Sequence, residues 1–305
     1  MDGYLLGQFA ALLTSCLWTF NSILFAKAGK KIGSLSVNAI RIVFAVAFLA
    51  ITHILVFGQV LPLLENEQFL WIGLSGIIGL GVGDFALFAA FVIIGPRLSV
   101  LIMATSPIYA AVLGYFILGE TLSFLSIFGI AITIFGVCSV ILVTKEHQQW
   151  PTTSKKASMY GSILGFVGAA GQGTGVVLAK KGILFQSDMA VNPISAALIR
   201  MITAAIFIWV CVAISGKLPK IRKAIKDVTA IKFTIGGAFI GPFLGVTLSM
   251  VAVTYANVGV AQTLMSLMPI IIIPVMWISY KEKTSIRGIL GAIIAIFGVA
   301  ILFLT

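Results

Sequence analysis

Residues 105–137 (TSPIYAAVLGYFILGETLSFLSIFGIAITIFGV) lie without a gap on residues 267–299 (LMPIIIIPVMWISYKEKTSIRGILGAIIAIFGV), and this internal duplication constrains the chain more than any other feature. The shift is 162 positions, and 11 of the 33 pairs are identical. Apolar identities carry little weight in such a chain. Pro107/Pro269, Glu120/Glu282, Ser123/Ser285, Gly129/Gly291 and Gly136/Gly298 carry more, because proline, glycine and an acid at fixed offsets record geometry rather than oiliness. A long-period repeat means two related structural units. The halves are read as 1–143 and 159–305, joined by a polar linker at 144–158 that contains Pro151.

Composition decides the solvent. With 60% hydrophobic and 10% charged residues among 305, the chain has too little polar surface to face water on all sides. A helix needs about 20 apolar residues to cross a bilayer. Ten such runs fit: 5–26, 37–57, 69–94, 98–118, 123–143, 159–179, 194–214, 231–256, 260–280 and 286–304. The expected fold class is an all-α polytopic membrane protein. Five spans per half is an odd number, so the two repeats run oppositely across the bilayer.

The net charge of +11 is explained by topology rather than by nucleic acid, since no basic patch with interleaved aromatics lies outside the spans. Loops following odd-numbered spans hold 16 Lys and Arg, whereas the other face holds only Lys180 and Lys181. The positive-inside rule places the crowded face in the cytoplasm and both termini outside. The loop at 215–232 is the most basic stretch and suits contact with anionic lipid. Cys16, Cys138 and Cys211 fall inside apolar runs, as small packing residues do. His53 has no partner at ligand spacing, so neither a metal site nor a cofactor is expected. MDGYLLGQ has no basic n-region, and the first apolar run is expected to stay as a span.

Polar groups within the spans mark the candidate site. The first span holds Thr14, Ser15, Trp18, Thr19, Asn21 and Ser22, more than a lipid-facing helix tolerates. Trp18 and Asn21 share a face, and Trp18 reads either as a cavity residue or as an interfacial or core aromatic. Span 3 carries Asp84, the one carboxylate deep in any span, about 4 Å from its centre by the helical rise. Such an acid faces the bundle interior with a partner. It reads as a proton-coupling group, as a contact for a cationic group on the substrate, or as a structural acid paired with Arg41 or Arg97. Gln172 and Thr174 in span 6 stand near the positions of Trp18 and Asn21 in span 1, and Gln262 in span 9 is a further amide at depth. Substrate contacts are therefore expected from Trp18, Asn21, Asp84, Gln172, Thr174 and Gln262.

A second set is read as structural or gating. Arg41 and Arg200 open spans 2 and 7 in matching positions, close enough to the helix ends to snorkel or to cap a neighbour. Pro107 and Pro269 predict kinks in spans 4 and 9, either packing geometry or hinges. Glu120 and Glu282 sit where the chain turns into spans 5 and 10, beside helix N-termini capped by Ser123 and Ser285.

Trp18, Arg41, the GDFALF stretch at 83–88, Pro107, the GE pair at 119–120 and IFGV at 134–137, matched in the second half by Arg200, Pro269, Glu282 and IFGV at 296–299, resemble the ten-helix, EamA-type branch of the drug/metabolite transporter superfamily. The resemblance covers essentially the whole chain. It implies two inverted five-helix repeats around a central cavity lined chiefly by helices 1, 3, 4, 6, 8 and 9. Relatives export amino acids and other small metabolites, or exchange sugar phosphates and nucleotide sugars. The helix 1 glutamate of the small four-helix multidrug members has no counterpart here. Relatives are usually drawn with both termini inside, opposite to the charge count.

The functional expectation is a secondary transporter in the plasma membrane, an exporter of small polar metabolites such as amino acids or their derivatives. A homodimer is compatible with the family. A membrane-embedded enzyme is the rival reading, opposed by two histidines, one deep carboxylate and no nucleophile with a base at recognisable spacing. A non-transporting scaffold or receptor is the third.

Overall fold

A computed structural model of the chain describes residues 3–143, 155–185, 190–280 and 285–304. In it ten helices are long and apolar enough to cross a membrane. They are α1 (Gly3–Ile32), α2 (Ser34–Phe57), α3 (Asn66–Ala90), α4 (Ser99–Leu118), α5 (Phe124–Leu142), α6 (Lys155–Ile183), α7 (Pro193–Ile214), α8 (Val228–Tyr255), α9 (Val258–Val275) and α10 (Ile286–Phe303). Helix is the outcome because bilayer hydrocarbon offers no partner for backbone N–H and C=O groups, so each segment must satisfy its own. The helix α6 begins at Lys155, so residues 155–158 of the expected linker are helical; 144–154 lie outside the described residues. The basic loop is not wholly irregular, since Leu218–Ala224 forms a short helix that buries Ile221 and Ala224.

Helix ends follow local chemistry. Asn192, Asp227 and Ser285 cap α7, α8 and α10 by accepting from the N–H groups of Ile194, Ala230 and Gly288 at 2.9, 2.9 and 3.2 Å. Gly119, at φ 68°, supplies the left-handed residue that ends α4 immediately before Glu120. Contacts with α6 trace the path from α3 to α4. A Cβ on Gly182 would meet Ile72, one on Gly171 would meet Gly83, and one on Gly161 would meet Ile94. The chain then returns, with Ile102 beside Gly165 and Tyr109 beside Gly173. It therefore reverses between Ile94 and Ile102, although residues 84–103 are helical throughout.

The two halves interlock. Helix α1 packs on α8 and α9 of the second half, α6 packs on α3 and α4 of the first, and α2 meets α7. The duplicated glycines hold α5 and α10 together. A Cβ on Gly136 would lie 2.7 Å from Cα of Ala295, and one on Gly298 would lie 2.6 Å from the backbone N of Thr133. Position 295 is the repeat partner of 133, so this contact is the same pair of surfaces used twice about a pseudo-two-fold. Small residues at the crossing let backbones approach where dispersion, not water exclusion, drives association. The opposite faces of these helices carry Phe135, Ile296 and Phe297, each at least 60% exposed, as lipid contact requires.

Candidate substrate site

Both halves contain a π-helical segment at the same register, Gly76–Gly83 in α3 and Phe239–Gly245 in α8. Their ends differ by 162, the shift of the repeat. Such segments recur at functional sites because the wider turn displaces backbone carbonyls from regular pairing. The glycine pairs Gly79/Gly241 and Gly83/Gly245 were visible in the sequence and could have signalled this.

Asp84 follows the first π segment directly. Its N–H donates to the carbonyls of Gly79 and Gly81. Gln172 Nε2 donates to Asp84 Oδ1 at 2.6 Å and to the Gly79 carbonyl at 3.2 Å. The glycine contact at Gly83 and Gly171 brings α6 close enough for this: a Cβ on Gly171 would sit 2.8 Å from Gly83 Cα. Arg41 Nη2 donates to the other carboxylate oxygen, Oδ2, at 2.6 Å, and the two side chains are only 14% and 13% exposed. Asn38 Oδ1 accepts from Arg41 Nε at 2.8 Å, and Phe25 and Phe88 flank the guanidinium at 5.3 and 5.4 Å.

Arg41 thus neither snorkels nor caps a helix end; it turns inward because Asp84 and two aromatic faces offer a better seat than the interface. Arg97, the other partner considered for Asp84, has a side chain outside the described residues. Arg200 also departs from the snorkelling expectation. It is 2% exposed, and Nη1 meets the Met250 Sδ at 3.2 Å.

In the second half, Trp18 and Asn21 of α1 pack on the π segment of α8. A Cβ on Gly245 would lie 2.7 Å from Trp18 Nε1, and one on Gly241 would collide with the Asn21 amide. The hydroxyls of Thr14, Ser15, Thr19 and Ser22 return to carbonyls of their own helix, with Thr14 also reaching the Gly245 carbonyl at 3.4 Å, while Gln8 donates to the Leu302 carbonyl at 2.6 Å. Thr174 is half-buried on α6.

The prolines do not kink continuous helices. Helix α4 is broken at Ala104–Thr105 and resumes at Ser106, and α9 is broken at Ser266–Leu267 and resumes at Met268. Pro107 and Pro269 are the second residues of the resumed segments, where a missing N–H costs nothing. Gln262 Nε2 donates to Ser106 Oγ at 3.0 Å, tying α9 to the break in α4. Ser106 in turn lies against Gly173, next in sequence to Gln172 and Thr174. The structure therefore joins Asp84, Gln172 and Arg41 directly and places Gln262 beside α6 through Ser106. Trp18 and Asn21 occupy the symmetry-related contact between α1 and α8.

The sequence profile of the EamA-like transporter family matches residues 5–142 and again 159–304, nearly the whole of both halves. The chain belongs to the EamA-like transporter family. No curated protein matches it. Among the solved structures that do, one titled only "Crystal structure of protein" has a TM-score of 0.73 at 15% identity, covering 99% of this chain and 96% of that one. That likeness concerns the fold alone.

This EamA-like chain holds a second internal ion pair that the sequence did not reveal. Glu120 does not serve the N-terminus of α5. Its Oε1 pairs with Lys180 Nζ at 2.6 Å, and Oε2 accepts from the Val258 N–H at the start of α9 at 2.8 Å. Lys180 also donates to the Ala256 carbonyl at 2.7 Å. One end of the molecule is thereby tied across α4, α6, α8 and α9, because an acid near the first turn of α9 satisfies both the helix dipole and a buried lysine. Glu282 lies outside the described residues. His53, read as isolated, bonds to Ser195 Oγ through Nε2 at 3.0 Å and to the Gln59 carbonyl through Nδ1 at 2.7 Å, joining α2 to α7.

Proposed function

We propose that this protein is a secondary transporter that exports small polar metabolites, amino acids or their derivatives first, by alternating access. The observation that carries the reading is the cluster of Asp84, Arg41 and Gln172. It is a charged, hydrogen-bonded group from α2, α3 and α6, drawn from both repeats, at mid-span depth. Polar groups at that depth in membrane proteins line substrate and ion paths. The broken helices α4 and α9 beside it match the discontinuous helices around which transporters bind substrate near the bilayer midplane. Trp18, Asn21, Thr174 and Gln262 complete the contact set. An enzymatic role is disfavoured: the Ser195–His53 contact is the one serine-to-histidine pair among the described residues, and both side chains are buried.

Alternating access draws support from an asymmetry. Aligning the ends of α1 and α6 (FAKAG on LAKKG) makes Lys27 the counterpart of Lys180. Lys180 is buried in the Glu120 pair, whereas Lys27 is exposed with its Nζ 5.7 Å from the Phe233 ring. One end is latched in this conformation, and at its symmetry mate Lys27 has no carboxylate partner among the described residues. Inverted repeats that exchange conformations would exchange which lysine is held. In this reading the basic loops face the cytoplasm, by the positive-inside rule, and the membrane is the plasma membrane.

The test is a flux assay with purified protein in liposomes, a panel of labelled amino acids and metabolites, and a pH gradient present or absent. Uptake of at least one compound, weakened by Gln172→Ala with normal protein yield, is the expected result. Folded protein that moves nothing in the panel in either direction would overturn the reading.

A further inference from the structure

We propose that Arg200 anchors an oxyanion on the transported molecule, a carboxylate or a phosphate, and that this anion fills in the second repeat the place that Asp84 fills in the first. This deepens the transporter reading and rests on it. Four observations carry the inference.

Arg41 and Arg200 occupy equivalent seats. Each is the eighth residue of its helix, α2 or α7. The guanidinium of Arg41 lies against Phe88, and that of Arg200 against Met250, which is the residue 162 positions on. The acid that neutralises Arg41 is Asp84, and 162 positions on from Asp84 stands Val246. The second repeat therefore keeps the arginine and lacks its acid.

Arg200 feels the charge of Asp84 only from beyond contact and has no direct ion-pair partner among the described residues. It is 2% exposed, its Nε is buried with no hydrogen-bond partner, and the contact of Nη1 is a thioether, a weak acceptor. Among the described residues no carboxylate lies within ion-pairing distance of it. Guanidinium cannot shed its charge in a protein. A buried cation in this condition is costly unless an anion joins it.

Asp84 cannot serve both arginines at close range. Its Oδ2 is taken by Arg41 and its Oδ1 by Gln172, each at 2.6 Å. The described interior of this site thus carries two arginines against one acid, a net charge of +1. That balance selects an anionic group and disfavours the cationic group for which Asp84 alone argued.

The free edge of Arg200 is shaped for an oxyanion and points toward the polar cluster. With Nη1 on Met250 and Nε without a partner, the edge away from the thioether is that of Nε and Nη2, the fork that takes two oxygens of a carboxylate or phosphate. Nη2 lies 3.3 Å from the place a Cβ on Gly79 would occupy, and the Gly79 carbonyl is held by Gln172. Glycine at 79 lets the guanidinium reach the π segment that ends at Asp84.

The test uses full-length protein in detergent, with ligand binding read from the shift in melting temperature. The probes are a set of amino acids, their methyl esters, the amines lacking the carboxylate, and inorganic phosphate. Carboxylate-bearing compounds should stabilise the protein, while esters and amines should bind at least tenfold more weakly. Arg200→Gln should lose that preference, and Arg200→Lys should keep part of it. Val246→Asp, which supplies the missing acid internally, should weaken anion binding at least tenfold and keeps the test open if Arg200→Gln fails to fold. Stabilisation by phosphate alone would assign phosphate as the anion. Esters binding as tightly as free acids, no stabilisation by any anion, or wild-type anion affinity in both Arg200→Gln and Val246→Asp would overturn the proposal. Flux separates it from the broader reading. Anion binding without transport would sink the transporter reading and leave this site standing, whereas unchanged transport by Arg200→Gln would sink the site and leave the transporter.

Discussion

Replacing Asp84 by Asn tests whether the Arg41 pair holds the bundle together. At 2.6 Å and an effective dielectric near 20, the gross attraction is about 6 kcal/mol, and much of it is offset by desolvating both groups. Removing one partner exposes the other to that desolvation cost. Measured losses for such half-removed buried pairs run at about 3–5 kcal/mol. Asn preserves the shape and an acceptor for Gln172, so Asp84→Asn should fall near the lower end, about 3 kcal/mol. Arg41→Gln should cost about the same, again because a single charge is stranded. The double variant strands none, and its loss should be about 3 kcal/mol rather than the sum of about 6, a coupling of about 3. The assay is a double-mutant cycle by thermal or SDS unfolding of purified protein at neutral pH and low salt. Additive single losses, or an Asp84→Asn variant as stable as the wild type, would refute the reasoning and leave the Arg41 pair as a contact that does not hold the bundle together.

Glu120→Gln and Lys180→Met should each open the latched end, so that a single cysteine at Thr174 in a cysteine-free background reacts at least tenfold faster with an impermeant thiol reagent; unchanged labelling in both would show that the pair is not a latch. Gly298→Leu places side-chain atoms in Thr133 and the Gly129 carbonyl and should cost about 1–3 kcal/mol by overpacking, whereas Ile296→Leu on the lipid face should be neutral. Equal unfolding of the two would remove the α5–α10 contact from the account. Single cysteines at Val60 and Lys217, both exposed and in loops on opposite faces, report topology in intact cells. Labelling at 60 and protection at 217 is the expected pattern, and the reverse would put the basic loops outside.

Much of this architecture was legible in the residues themselves. Ten spans could be placed within a few residues because a bilayer converts length and hydropathy directly into helix. The duplication gave the odd number of spans per half and hence the inversion. Ser123 and Ser285 could be read as caps because capping is a local contact: Ser123 Oγ accepts from the Ser126 N–H at 3.0 Å, as Ser285 accepts from Gly288. Long-range contacts were out of reach. Asp84 stood out by its depth, but its partners are 43 and 88 positions away, and hydropathy says nothing about which polar groups meet. Arg41 and Arg200 looked alike because they are alike; only the packed bundle gives one an acid and leaves the other against a thioether. Glu120 was assigned to the nearer helix end, α5, although folding brings it to the start of α9, 138 positions on. Sequence fixes what each segment must do to survive in lipid. Pairing within the bundle is settled by which backbones approach closely, and here that follows from glycines opposing one another across α3 and α6, whose effect exists only once the helices are packed.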